Sequence, residues 1–200
     1  MEALRSKLPK WEASLEKFKP KIVKTGPILE NVLSGKDVDL LHFPVPLWHE
    51  NDGGRYIGTG DAFITKDPDT GAVNLGAYRV MVCDRKTLTF HIQPTHHGMV
   101  HTAKYHARGQ AAPMAISLGH HPLFLGISSR RVPEGTEYQY IGAIRGEPVE
   151  VIEEEVTGLP IPADSEIVVV GWCPPGKTRM EGPFGEGTGY YGSAEERAIM

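Results

Sequence analysis

The sequence predicts a β-rich α+β domain, and three observations carry that reading. Between Arg55 and Ile92, short runs of β-branched and aromatic residues alternate with turn residues, the pattern of successive hairpins. Glycine and proline, 23 and 16 of the 200 residues, make up about a fifth of the chain and imply many turns. Helical periodicity is confined to a few short stretches.

The elements follow in order. Residues 1–24 stand apart, with seven basic and three acidic residues around Leu4, Leu8, Trp11, Leu15 and Phe18. That 4-3-4-3 spacing is one apolar stripe of a helix. Pro9 suits a first turn, so the expected docking helix runs from Pro9 to Phe18. Residues 40–49 hold two prolines among apolar residues and read as extended chain. Asn51-Asp52-Gly53-Gly54 makes a turn. Arg55–Thr65, Val73–Val82 and Thr87–Ile92 read as strands, separated by turns at Asp67–Gly71 and Asp84–Lys86. A polar helix is expected from Gly98 to Arg108, closed by Gly109. Met114–Leu118 reads as a buried strand and Pro122–Ser128 as a short helical turn. Tyr138–Ile144, Val149–Val156 and Glu166–Val170 read as strands, and Gly182–Gly189 as a glycine-rich loop. The sum is a barrel or closed sheet with a few flanking helices.

Composition excludes several function classes. A formal net charge of -4 lacks the basic footprint of a nonspecific nucleic-acid binder. No apolar run reaches the ~18 residues of a membrane span. The charged N-terminus has no signal-peptide core. Two cysteines, Cys83 and Cys173, stand far apart without a CxxC pair, which excludes a disulfide scaffold or thiolate zinc site and suits a cytoplasmic protein.

Four stretches carry side chains suited to chemistry. Glu181 and Glu186 lie on a loop of glycines and one proline. Two acids brought into one pocket have their pKa values pushed apart, so that one can donate a proton near neutral pH. The same stretch also fits a solvated turn. Asn74-Leu75-Gly76-Ala77-Tyr78-Arg79 reads as a strand with Asn74, Gly76 and Tyr78 on one face and Leu75, Ala77 and Arg79 on the other. An arginine on an apolar face calls for a fixed anion, although an edge-strand salt bridge would serve as well. His96 and His97 fall between a strand and a helix. Ser128, Ser129, Arg130 and Arg131 could cradle a phosphate, with Glu137 beyond them. An Asn, a His and a Glu together would suit a hard divalent ion such as manganese or magnesium.

Taken in order, five pieces resemble the UbiD family of reversible decarboxylases, which use prenylated FMN. They are Phe43-Pro44-Val45-Pro46, the run from Glu50 to Ile57, the strand from Asn74 to Arg79, the segment from Pro160 to Val168, and the loop from Glu181 to Glu186. The resemblance covers residues 22–192. It implies an FMN-reductase-like split β-barrel over residues 25–192, after the helical segment 1–24 and before a tail at 193–200. It implies Asn74, His97 and Glu137 as ligands of Mn2+ or Mg2+, with His96 competing for the histidine place, and often a K+ ion. Asn74 and His97 are 23 apart and Glu137 and Glu181 are 44 apart, as the family requires. Ala77, Tyr78, Ser128 and Ser129 then contact the cofactor. Arg79, Glu181 and Glu186 form the catalytic network, with Glu186 the proton donor.

The implied activity is decarboxylation of an aromatic or α,β-unsaturated acid, with a flavin prenyltransferase supplying the cofactor. Family members are longer, with an N-terminal α/β part and a C-terminal oligomerisation domain that the resemblance does not reach, and Val170 stands where many have Glu. The alternative is therefore a cofactor-holding subunit completed by a partner chain, or a remnant that binds nothing. A homo-oligomer or complementing subunit is expected, because a truncated barrel exposes apolar surface.

Overall fold

The central strands are apolar at nearly every position, and that dictates the layering. β3 (Ala62–Lys66) and β7 (Ala112–Leu118) are buried almost throughout. Successive side chains of a strand point to opposite faces, so a continuous apolar run needs a packed layer on each side. In this computed structural model, which describes residues 6–200, both layers are present. Phe63, Met114 and Ile116 face a core shared with Val80, Leu88 and Phe90. Ala62, Ile64 and Ala115 face the opposite core, with Phe124, Ile141, Val151 and Ile161.

The middle sheet is antiparallel and ordered β10-β7-β3-β4, with β4 at Val73–Gly76 and β10 at Ile167–Cys173. On one side lies a sheet of β2 (Arg55–Gly58), β5 (Arg79–Val82) and β6 (Leu88–His91). On the other lie α3 (Leu123–Ser128), α4 (Glu137–Arg145) and a small sheet of β1 (Lys21–Ile22), β8 (Glu150–Glu153) and β9 (Pro160–Pro162). α2 (His97–Ala107) packs along β3 and β4. Two ribbons complete the chain, β11 (Thr178–Glu181) with β14 (Glu195–Ala198), and β12 (Phe184–Gly185) with β13 (Tyr191–Gly192). The class is α+β with strands dominating. Among the described residues the strands fall into five sheets rather than one closed barrel.

Several expectations are corrected. Arg55–Thr65 and Val73–Val82 each divide into two strands that lie in different sheets. The chain crosses between layers at Ala77-Tyr78, so Leu75, Ala77 and Arg79 do not share one strand face. Tyr138–Ile144 is helical, within α4. Burial falls on Glu137, Tyr138, Tyr140, Ile141, Gly142 and Ala143, not on alternate residues. An acid in the first turn, Arg145 in the last, and Gly146 at φ 86° closing it are helix signals that outweigh the strand preference of the tyrosines and isoleucines. The N-terminal helix is shorter than expected. α1 covers Leu8–Glu12, and a separate 3-10 turn covers Leu15–Phe18. Between them the Ser14 hydroxyl bonds back to the Trp11 carbonyl, a side-chain competitor to the helix ladder. Leu4, at the head of the stripe, lies outside the described residues. Residues 193–200, expected as a tail, contain β14, and Ile199 bridges to Thr89.

Candidate active site

Arg79 opens β5, and the antiparallel register sets it directly across from His91 of β6. Its Nε and Nη2 donate to the two oxygens of Glu181, both at 2.8 Å, and its Nη1 donates to Glu186 Oε1 at 2.7 Å. Glu181 is fully buried and accepts a third bond from the Tyr56 hydroxyl at 2.8 Å. Three donors on two oxygens require the carboxylate form. Burial first, and Glu181 second, push the Tyr56 phenol far above its ordinary range. The guanidinium carbon also sits 4.9 Å from the Phe184 ring centre. Glu186 is different, because its side chain is 49% exposed and borders a cavity of about 400 Å3.

The early turn holds this acidic loop in place. Asp52 Oδ1 accepts from the Gly185 amide at 2.8 Å, and the Gly53 amide donates to the Pro183 carbonyl at 2.7 Å. A Cβ on Gly53 would lie 1.9 Å from the Gly182 oxygen, so the approach requires glycine. Two stretches some 130 residues apart thus form one unit.

A second cavity, of about 590 Å3, is lined by Asn74, Ala77, Tyr78, His96, His97, Ser128, Ser129 and Glu137. All the residues expected to hold cofactor and metal, apart from Arg79, border it. Ala77, Tyr78, His96 and Ser129 line both cavities, so the two adjoin along one wall. The Ala77 amide donates to the Ser128 carbonyl at 3.3 Å, tying the strand break to the serine loop. Three buried polar atoms here have no protein partner: one amide atom of Asn74, Ser128 Oγ and Glu137 Oε2. Each such group costs about 1–3 kcal/mol unless something meets it. A half-turn of the Asn74 amide presents either its oxygen or its nitrogen. Burial raises the Glu137 carboxyl to about 7. An amide, a hydroxyl and an acid with unmet atoms, beside two imidazoles around one space, fit a hard cation with its phosphate.

His97 is half-buried, and its ring lies parallel to that of His101, 6.3 Å away. His96 is exposed, with its ring 5.9 Å from that of Tyr78. Behind His97, the ligand atoms of Asp67, His101 and Glu134 come within 4.8 Å of one another. Lys104 Nζ already bonds Asp67 at 2.5 Å, and Thr65 Oγ1 bonds His101 Nδ1 at 3.0 Å. This cluster is an ion-pair network that supports the His97 side of the cavity. Arg130 and Arg131 line the same cavity from its exposed rim.

Sequence reasoning missed Tyr56, Asp52 and His91. His91 was within reach, since a hairpin centred on the Asp84–Lys86 turn pairs it with Arg79. Tyr56 and Asp52 act across the fold and carry no local signal.

Comparison with known proteins follows the same outline. The family model "UbiD: 3-octaprenyl-4-hydroxybenzoate carboxy-lyase Rift-related domain" matches residues 21–200. The chain belongs to the UbiD family. Among UbiD relatives, a pyrrole-2-carboxylic acid decarboxylase of Pseudomonas aeruginosa is 41% identical over 176 residues, covering 88% of this chain and 36% of that protein. The UbiD-class enzyme HmfF from Pelotomaculum thermopropionicum, solved with FMN, matches at a TM-score of 0.87 and 32% identity, over 96% of this chain and 44% of that one. An evolved dimeric form of HmfF, in complex with prFMN, gives the same score and identity and is covered to 45%. Vanillic acid decarboxylase of Sedimentibacter hydroxybenzoicus, in its closed form, matches at 0.87 and 31% identity, over 98% of this chain and 43% of that one. The chain therefore spans less than half the length of these UbiD proteins. No helix among its described residues is long and apolar enough to cross a membrane.

Proposed function

We propose that this chain carries the cofactor site and proton-transfer network of a UbiD decarboxylase that acts on an aromatic or α,β-unsaturated carboxylic acid. The observation that carries this reading is Arg79, held by both oxygens of buried Glu181 while its Nη1 reaches half-exposed Glu186. Asn74, His97 and Glu137 would hold Mn2+ or Mg2+, with the cofactor phosphate beside Ser128 and Ser129. The shared wall of Ala77 and Tyr78 would carry the flavin toward Arg79. When bound, prenylated FMN supplies the electrophilic centre that takes up the charge left as carbon dioxide departs. The split-barrel reading of the fold rests on the two strand layers that share the Phe63–Phe90 core.

The chain's own residues account for substrate placement and the proton. Arg79 orients the substrate carboxylate. The bond from the unsaturated carbon to the carboxyl carbon breaks, its electron pair stays on the unsaturated carbon, and a proton from Glu186 takes the vacated place. Glu181 is saturated with donors, whereas half-exposed Glu186 is held through one Arg79 bond and borders the cavity, which makes Glu186 the acid placed to reach the vacated carbon.

The test is expression with a flavin prenyltransferase, followed by assay of decarboxylation and of deuterium exchange from solvent. Glu186→Gln should lower both by about 10²–10⁴-fold while the chromophore and manganese are retained. Full activity in that variant would overturn the assignment. A second reading, a cofactor-holding subunit that needs a partner chain or another copy, is favoured by the apolar rim beside Phe184. There Leu47, Trp48, Tyr190 and Tyr191 are exposed. Under it the chain alone binds flavin without turnover, and a complementing chain restores activity.

A further inference from the structure

Resting on that reading of the site, we propose that His91 is a positioning residue for the reaction: a neutral imidazole that completes the hold on Arg79 and leaves one guanidinium N–H for the substrate carboxylate. An arginine has five N–H donors and no acceptor. The Nε–H and one Nη2–H go to Glu181, and one Nη1–H goes to Glu186. The other Nη2 hydrogen meets His91 Nδ1 at 3.0 Å. Four donors are thereby used. The fifth, on Nη1, remains, and Arg79 borders the open cavity beside Glu186. With His91 removed, two donors on different nitrogens would be free, and a carboxylate or water could dock in competing orientations.

The bond fixes the state of the ring. Arg79 can only donate, so His91 Nδ1 must carry a lone pair and the ring proton must sit on Nε2. Nε2 lies 3.2 Å from the amide nitrogen of Gln93; with the ring proton on Nε2, a half-turn of that amide brings its oxygen into the acceptor place. Gln93 is exposed at the border of the same cavity. The charged groups around His91 come from three strands: Arg79 on β5, Glu181 on β11 with its Oε2 at 3.8 Å, and Arg197 and Glu195 on β14. Burial first, then the two guanidinium groups, disfavour a second proton. Acidification that forces one on would remove the acceptor and set imidazolium against guanidinium. His91 therefore gives activity its acid limb.

Two measurements test this on the full chain. Nitrogen-15 NMR of the cofactor-free protein at neutral pH should show His91 as the Nε2–H tautomer. In the cofactor-loaded protein, His91→Leu should lower kcat by about 10–100-fold, the scale of a bond to a charged group, with little change in KM. His91→Asn keeps an acceptor that does not titrate, so it should retain kcat within a few-fold and lose the acid limb. An Nδ1–H or doubly protonated His91, or His91→Leu with unchanged kcat and an unchanged acid limb, overturns the proposal. If the wild-type protein turns over no unsaturated acid, the decarboxylase reading fails, while the tautomer still decides whether His91 holds Arg79.

Discussion

Glu181 and Glu137 are both buried glutamates, yet they are held in opposite ways. Glu181 is met by two N–H groups of Arg79 and the hydroxyl of Tyr56, all within 2.8 Å. Glu137 keeps one oxygen with no partner, beside an equally unmet Asn74 and Ser128. The first carboxylate is neutralised by the chain itself. The second needs a proton or a bound cation, which is why burial lifts it to about 7. The Glu181 side of the site is finished on folding, and the Glu137 side keeps polar atoms that no protein group meets.

The sharpest way to break the comparison is Glu181→Ala. It strips the shared partner from Arg79 and Tyr56, and removing one side of a buried pair costs about 3–5 kcal/mol. Chemical denaturation should show that loss, and a change below about 1 kcal/mol would refute the idea of a finished end.

Asp61 sharpens the other side of the contrast. It is fully buried with both oxygens unpartnered, and burial pushes its carboxyl up to about 7. The folded state therefore holds its proton over a range where the unfolded chain has released it. That stabilisation is full below about pH 4 and is lost as pH rises toward 7, by up to about 4 kcal/mol. Asp61→Asn has no such proton. Its stability should match wild type near pH 4 and exceed it increasingly by pH 8, as read from denaturation midpoints across that range.

A smaller effect tests how the finished end is fastened. Gly53→Ala places a Cβ against the Gly182 carbonyl. It should cost about 1–3 kcal/mol, as overpacking does, and lower activity more than stability because the Glu186 loop shifts. Equal losses of both would argue against the fastening role. The smallest effect belongs to the unfinished end. Glu137→Gln should change the stability of the metal-free protein by less than about 1 kcal/mol, since one of its oxygens has no protein partner to lose. Manganese at 100 times its Kd should stabilise wild type by about 2.7 kcal/mol and leave the variant unmoved.

Much of the site was legible before any coordinates. The spacings from Asn74 to His97 and from Glu137 to Glu181 pointed to residues that the fold gathers: Asn74 on β4, His97 opening α2 and Glu137 opening α4 border one cavity, and Glu181 closes β11 against Arg79. The secondary structure around them was read less well. Tyr138–Ile144 looked like a strand because tyrosine and isoleucine favour one, whereas packing on Phe124 and Val149 made it a helix. The run from Val73 to Val82 looked continuous, although no local feature marked where it changes sheets.

By itself the sequence determined the short-range parts. Turn residues set the hairpin that pairs Arg79 with His91, glycine at 53 permits the close approach of two loops, and the acids sit where the loop can present them. Only the tertiary structure decided that Arg79 meets Glu181 across 102 residues, that Tyr56 joins them, and that Asn74, Ser128 and Glu137 share one space, each with a polar atom that no protein group meets. The physical reason is range. Turn and capping preferences act over a few residues, but the partner of a buried charge is chosen by how whole layers stack.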